Sequence, residues 1–225
     1  MPRVLFVYTS ADKKLLGGPT GWYLPEAAHP YYVLAPHAEI DFASPNGPNP
    51  PVDPHSVEDY TDEKSQNFLT DVAVKEKFSS AKKLSEVSVN DYDAIFYVGG
   101  HGPVIDLASD PVNIQLASQF WQEGKIVSAV CHGPAAIVGA TDSNGESIFK
   151  GKEVTGFSND EEIAVDQVKA VPFLLEDRIK LLGGKYTKAD EPWGPKVVTD
   201  GKLITGQNPA SAQPIGEAIL VALRG

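Results

Sequence analysis

Tyr92-Asp93-Ala94-Ile95-Phe96-Tyr97-Val98 runs into Gly99-Gly100-His101-Gly102, and Ile126-Val127-Ser128-Ala129-Val130 runs into Cys131-His132-Gly133-Pro134. Each is a short, almost unbroken apolar run that stops at glycine or at a small-residue turn. Such runs belong to strands buried on both faces. The segment between them is helical: Asp110 suits the N-cap, Pro111 the first helical position and Gly124 the stop. Ile114, Ala117, Phe120 and Trp121 recur within it at core spacing. Strand, crossover helix, strand is a βαβ unit, and it calls for a parallel sheet. The expected class is therefore α/β, with a mostly parallel central sheet and helices on both faces.

The pattern extends outward. Val4 to Tyr8 reads as a first buried strand and Ile40 to Ala43 as a second. Leu24 to Ala35 lies between them as a helix, with Pro25 in its first turn and Pro30 and Pro36 limiting it. Residues 44–56, SPNGPNPPVDPHS, form a loop inserted within the domain, and Thr61 to Phe78 resumes helical spacing. After Cys131, Gly133 to Val138 starts a helix and Glu153 to Phe157 is a strand candidate. Ser158 to Ala170 and Pro172 to Leu182 read as helices. Val197 to Thr205 is a hairpin turning at Asp200-Gly201. Asn208-Pro209 caps a last helix, in which Pro214 predicts a kink or a later start. The 225 residues, 42% of them hydrophobic, suit one domain spanning the whole chain.

Charge narrows the function. With 19 Lys plus Arg against 30 Asp plus Glu, the net charge is −11. Such a surface repels phosphate backbones and anionic lipid heads, which argues against nucleic-acid and membrane partners. No stretch approaches the ~20 apolar residues that span a bilayer. The first residues read as a strand, not a signal peptide. One cysteine rules out an intrachain disulfide and points to a reducing, cytoplasmic setting first, with the nucleus as a secondary candidate.

That cysteine is the candidate nucleophile. Cys131 stands where a buried strand meets a helix start, amid Ala129, Gly133 and Ala135, which let the backbone turn sharply, as in a nucleophile elbow. Ligands of open α/β sheets bind beyond the carboxyl ends of strands. Backbone N–H groups at the helix start are expected to lower the thiol pKa. His132 is an adjacent candidate base or orienting group. Gly99 and Gly100 offer backbone donors for an oxyanion, and His101 reads as a loop hydrogen-bonder. The five histidines stand at 29, 37, 55, 101 and 132, so no downstream histidine is available as a base, and a carboxylate is the obvious choice.

Taken together, Gly99-Gly100-His101-Gly102, the Ala-Val-Cys-His-Gly-Pro-Ala run around Cys131, Thr155-Gly156-Phe157 and Gly206-Gln207-Asn208-Pro209-Ala210-Ser211 resemble the ThiJ/PfpI superfamily. The match is best to its heat-shock-protein-31-like branch, which includes glutathione-independent glyoxalases (glyoxalase III). The resemblance implies a flavodoxin-like sandwich, a homodimer, and conversion of methylglyoxal or other 2-oxoaldehydes to D-lactate with neither cofactor nor metal. It further implies a triad of Cys131, His132 and a glutamate, with a second glutamate, Glu26, beside the thiol. Counting in the family register from Gly156-Phe157 selects Glu162 for the triad. Glu161 instead closes a capping box with Ser158. A protonated Glu26 would donate a hydrogen bond to the thiolate, its pKa raised by burial. The chain departs from the family at Leu107, where an aromatic is usual, and at Pro25. The competing readings are a protein deglycase or cysteine peptidase of the same superfamily, a stress-induced holdase chaperone, and a redox sensor acting through Cys131.

Overall fold

A computed structural model describes residues Met1 to Gly225. In chain order its first half holds β1 (Arg3–Val7), α1 (Leu24–Leu34), β2 (Glu39–Ser44), α2 (Pro54–Asp59), α3 (Glu63–Thr70), α4 (Val72–Ser79) and β3 (Lys82–Lys83). The middle adds β4 (Ala94–Tyr97), α5 (Gly102–Ile105), α6 (Pro111–Gln122) and β5 (Ile126–Val130). The last part holds β6 (Glu153–Val154), α7 (Asn159–Ala164), α8 (Leu175–Leu181), β7 (Lys185–Tyr186), β8 (Val197–Asp200), β9 (Leu203–Gly206) and α9 (Ala212–Arg224). Seven strands form one sheet in the order β3-β2-β1-β4-β5-β9-β8. All neighbours are parallel except β8 and β9. Helices surround the sheet, the flavodoxin-like α/β architecture that the central βαβ unit calls for. No helix is long and apolar enough to cross a membrane.

Register decides where chemistry can occur. The chain runs outward from β1 through β2 to β3, then returns to the other side at β4, so the order reverses between β1 and β4. Tyr97 pairs with Ala129, which brings the carboxyl ends of β4 and β5 level. The Gly99-Gly100 turn and Cys131 thus emerge side by side, close to the reversal point, where doubly wound sheets open a crevice for ligands. Behind them a continuous apolar cluster joins the strands to α1, α6 and α9.

Several elements differ from the sequence expectation. Pro30 does not limit α1 but lies inside it. The ring removes one helical hydrogen bond, yet α1 continues because it packs tightly on α9. A Cβ on Gly216 would stand 2.9 Å from Pro30 Cα, so only glycine permits that approach. Residues 61–78 divide into α3 and α4 at Asp71, whose side chain caps the second helix through the Ala73 amide. Residues 158–170 stay helical only to Ala164, and Asp166 then takes a left-handed conformation with φ 54°. In the second expected helix only Leu175–Leu181 is helical. The strand candidate at 153–157 shrinks to Glu153–Val154 and pairs with β7 in a separate two-stranded ribbon. Pro214 resolves as a late start: Asn208 caps a 3₁₀ turn over Pro209–Ser211, and α9 follows with Pro214 in its first turn. At the hairpin, Asp200 pairs with Leu203, which leaves Gly201-Lys202 as the turn residues.

The proline-rich segment is shorter than 44–56 and firmly held. Ser44 extends β2 and Pro54 opens α2. Between them the carbonyls of Pro50 and Pro51 accept hydrogen bonds from the Trp22 indole (3.0 Å) and amide (2.9 Å). Trp22 itself stacks on Phe78 at 5.1 Å. These contacts fix the approach to α1, where Glu26 sits.

Candidate active site

Cys131 turns the chain sharply after β5. Its φ is 61°, a left-handed conformation costly for any residue with a Cβ. Two backbone hydrogen bonds hold it there: the Cys131 amide donates to the Gly206 carbonyl, and the Phe157 amide donates to the Cys131 carbonyl, each at 2.9 Å. The Gly206–Ser211 and Thr155–Phe157 motifs therefore both grip the elbow. The element that follows, Gly133–Ile137, is a 3₁₀ turn rather than an α-helix.

His132 faces the sulfur, with Sγ and Nδ1 3.6 Å apart. Its Nε2 lies 2.5 Å from Glu162 Oε2. The other oxygen, Oε1, lies 2.7 Å from His101 Nε2. One carboxylate thus accepts from two imidazoles whose centroids are 4.2 Å apart. Burial pushes the Glu162 carboxyl upward, but His132 and His101 outweigh it and hold the group well below the usual carboxylate range. Burial and the neighbouring His132 push His101 down to about 4, so its ring is neutral near pH 7. With Glu162 ionised, Nε2 of His132 carries the proton and Nδ1 is left to exchange one with the sulfur. His101, His132 and Glu162 are the one grouping of potential metal ligands in the chain, within 4.8 Å of one another. Their facing atoms already satisfy each other.

Glu26 approaches the sulfur from α1 and is fully buried. Neither carboxyl oxygen makes a well-formed hydrogen bond; the Cys131 thiol and the Gly100 amide are the groups facing it. Burial pushes its pKa up to about 8, so the carboxyl carries its proton near neutrality. Cys131 is only 5% exposed. Burial first, then the charge of Glu26 when it ionises, push the thiol up, while the Gly100 amide acts the other way. This corrects the expectation of a thiol with a lowered pKa. A single 3₁₀ turn supplies too little field to offset burial beside the Glu26 carboxyl. A thiolate here depends on the proton of Glu26 and on His132.

The glycines have separate tasks. Gly100 adopts φ 98°, and a Cβ there would lie 2.3 Å from the Gly21 carbonyl oxygen. Gly99 gives room rather than an evident donor: a Cβ would stand 2.1 Å from Glu26 Oε2, 2.6 Å from the Val130 oxygen and 2.7 Å from Cys131 Cβ. Gly99→Ala is expected to cost about 3 kcal/mol, at the upper end of overpacking, because backbone and elbow cannot yield. A lowered urea midpoint with unchanged m-value would verify it.

Glu161 closes the capping box with Ser158, at 2.9 Å to the Ser158 amide, and its other oxygen accepts from Asn208 Nδ2 at 2.8 Å. Above the sulfur opens a cavity of about 200 Å³, lined by His101, Tyr23, Tyr60, Phe157, Trp193 and Asn208 among others. The structure thus brings Cys131, His132, Glu162, Glu26, Gly99 and Gly100 into one site. It adds His101, which sequence reading left as a loop residue; its placement at a strand end beside the Cys131 turn was the available signal. Tyr60 and Trp193 carried no local signal.

Comparison with known proteins agrees with this geometry. The chain matches the DJ-1/PfpI family over residues 25–222. The glutathione-independent glyoxalase HSP31 of Saccharomyces cerevisiae is 34% identical, with 99% of this chain and 98% of that protein aligned. The crystal structure of the Francisella tularensis Rapid Encystment Protein 24 kDa superposes with a TM-score of 0.93 at 38% identity, covering 99% of both chains. Candida albicans glyoxalase III superposes with a TM-score of 0.88 at 31% identity, covering 98% of this chain and 97% of that one. Motifs, fold and full-length likeness converge, and this chain belongs to the DJ-1/PfpI family.

Proposed function

We propose that the chain is a glutathione-independent glyoxalase that converts methylglyoxal and related 2-oxoaldehydes to D-lactate and its homologues. One observation carries the reading. The Cys131 sulfur sits at a cavity floor between a His132–Glu162 pair and a buried, proton-bearing Glu26. Full-length relatives named as glyoxalases support it.

The thiol loses its proton to His132 Nδ1, and the sulfur adds to the aldehyde carbon. The carbonyl electron pair becomes an alkoxide beside the amides of Gly100 and His132. Glu26 gives its proton to that alkoxide and is left as a carboxylate against the new hemithioacetal. In that form it removes the hydrogen from the former aldehyde carbon, while His132 passes the proton it took from the thiol to the oxygen on the neighbouring carbon, giving an enediol. Glu26 then returns its hydrogen to that neighbouring carbon and takes up the proton of the first hydroxyl, which yields a thioester, a protonated Glu26 and a neutral His132. Water, deprotonated by His132 in the orientation set by Glu162, then breaks the C–S bond. The products are the 2-hydroxy acid and the free thiol. One carbon is oxidised and its neighbour reduced, so the net change is addition of one water. The reading includes a homodimer and a cytoplasmic or nuclear setting, where the single thiol stays reduced.

The direct test supplies purified protein with methylglyoxal, omits glutathione, and measures D-lactate with a stereospecific dehydrogenase. Steady D-lactate formation is expected. Disappearance of methylglyoxal without lactate would overturn the assignment.

A further inference from the structure

The cavity is larger than methylglyoxal by itself would fill. Two aromatic walls rise from the sulfur. On one side Phe157 packs 4.4 Å from the His132 ring, and Trp193 follows 5.9 Å beyond it, edge-on at 60°. On the other, Tyr23 and Tyr60 meet edge to face at 5.6 Å. Trp193 forms the outer end, 42% exposed.

The Trp193 wall is fixed in place. Trp193 holds a left-handed φ of 60°, rare for so bulky a residue. The surrounding loop is pinned at both sides: the Ala189 amide donates to Gln207 Oε1 at 2.7 Å, and Asn208 Nδ2 donates to the Gly194 carbonyl at 2.8 Å. Gln207 and Asn208 are buried and continue directly from Gly206, which holds the Cys131 elbow. The wall and the nucleophile are therefore positioned by one segment. Strain maintained by buried hydrogen bonds marks a position whose conformation the site requires.

Size and chemistry agree. An apolar cavity of roughly 150 Å³ accommodates benzene, and this one measures about 200 Å³. Aromatic walls favour a planar apolar group through offset and edge-to-face contacts, whereas the methyl group of methylglyoxal would leave most of that surface wet. We infer that the site selects 2-oxoaldehydes bearing a planar, apolar substituent of about benzene size, aryl glyoxals above methylglyoxal, and that Trp193 sets this preference. This rests on the glyoxalase reading of the same site.

Two measurements test it, one independent of turnover. The first compares kcat/KM for phenylglyoxal and methylglyoxal without glutathione. At least a tenfold advantage for phenylglyoxal is expected, residing mainly in KM. Trp193→Ala should cut the advantage to about threefold or less, and Trp193→Phe should restore most of it. The second follows alkylation of the thiol by mass spectrometry, using phenacyl bromide and bromoacetone, each rate divided by that reagent's rate with a small free thiol. Cys131 is the chain's single cysteine, so the labelled residue is unambiguous. Phenacyl bromide should lead by about tenfold, and Trp193→Ala should remove that lead. Equal normalised rates, or a Trp193→Ala effect identical for both reagents, overturn the inference. A sustained phenacyl preference in a protein that makes no lactate leaves the aromatic slot standing and removes the glyoxalase reading instead.

Discussion

Cys131→Ala is expected to abolish lactate formation from methylglyoxal while leaving the fold intact. The loss should reach about 10⁴-fold or more, because in the covalent route every later step begins from the carbon–sulfur bond. The remaining His132, Glu162 and Glu26 can polarise a carbonyl but offer it no nucleophile of comparable strength. The structural cost is small for three reasons. The side chain loses one sulfur atom, alanine meets the same restriction at φ 61°, and the two backbone hydrogen bonds that hold the elbow involve no side chain. Removing the sulfur also takes away a group that favours ionisation of Glu26, so the buried carboxyl keeps its proton. Thermal unfolding should therefore shift by only a few degrees. The checks are a D-lactate assay at high enzyme concentration and a melting curve on the same sample. Residual turnover within tenfold of the unsubstituted protein would mean that the sulfur is not the nucleophile.

Glu26→Gln is the second large effect, and its two halves have opposite signs. Activity should fall by roughly 10²- to 10⁴-fold, the range for a lost general acid and base. Stability should rise, and more so at higher pH. The Glu26 carboxyl titrates at about 8 in the folded protein, against about 4.3 when unfolded. Between those values the folded protein keeps a proton that the unfolded chain has released. The stabilisation from that proton is complete below the unfolded value and is lost as pH rises through about 8. Glutamine has no such proton to lose. The advantage of the variant should widen from pH 5 to pH 8 and level off above, with an upper bound on the order of 5 kcal/mol. Melting temperatures of both proteins at pH 5, 7 and 9 measure this directly. A difference that stays constant across the three values would show that Glu26 ionises normally in the folded state. The combination of higher stability and lost turnover is the usual mark of a site held in a strained, poorly solvated arrangement.

His101 illustrates how far local reading extends. Its position in a glycine turn after a buried strand was plain, yet its partner Glu162 lies 61 residues away. No local pattern links the two: the β4–β5 register sets His101 beside His132, and the Phe157 amide bound to the Cys131 carbonyl anchors the segment that carries Glu162 to them. The same holds for Tyr60 and Trp193. Each comes from a segment with no site motif of its own: Tyr60 follows α2 and reaches the cavity packed edge to face on Tyr23, and Trp193 reaches it because Asn208 pins its loop at the Gly194 carbonyl. The helix ends show the converse. Asp110 caps Val112 and Asn113 as its residue type requires, and Ser158 and Glu161 form their box within four residues. Pro30 shows a local rule overruled: the missing amide argues for a helix end, but close packing against Gly216 outweighs one hydrogen bond.

The sequence by itself determined the βαβ centre, the parallel sheet, the elbow at Cys131 and the capping box that Glu161 closes at the start of α7. All of these follow from interactions within a few residues or from the alternation of apolar strands and amphipathic helices. The tertiary structure alone decided the protonation of the site. Burial of Cys131 and Glu26 against each other favours the protonated form of both, and burial depends on what α1, β9 and the Pro-rich segment enclose. It also decided the walls of the cavity, because residues far apart in the chain meet only once the sheet has closed its register.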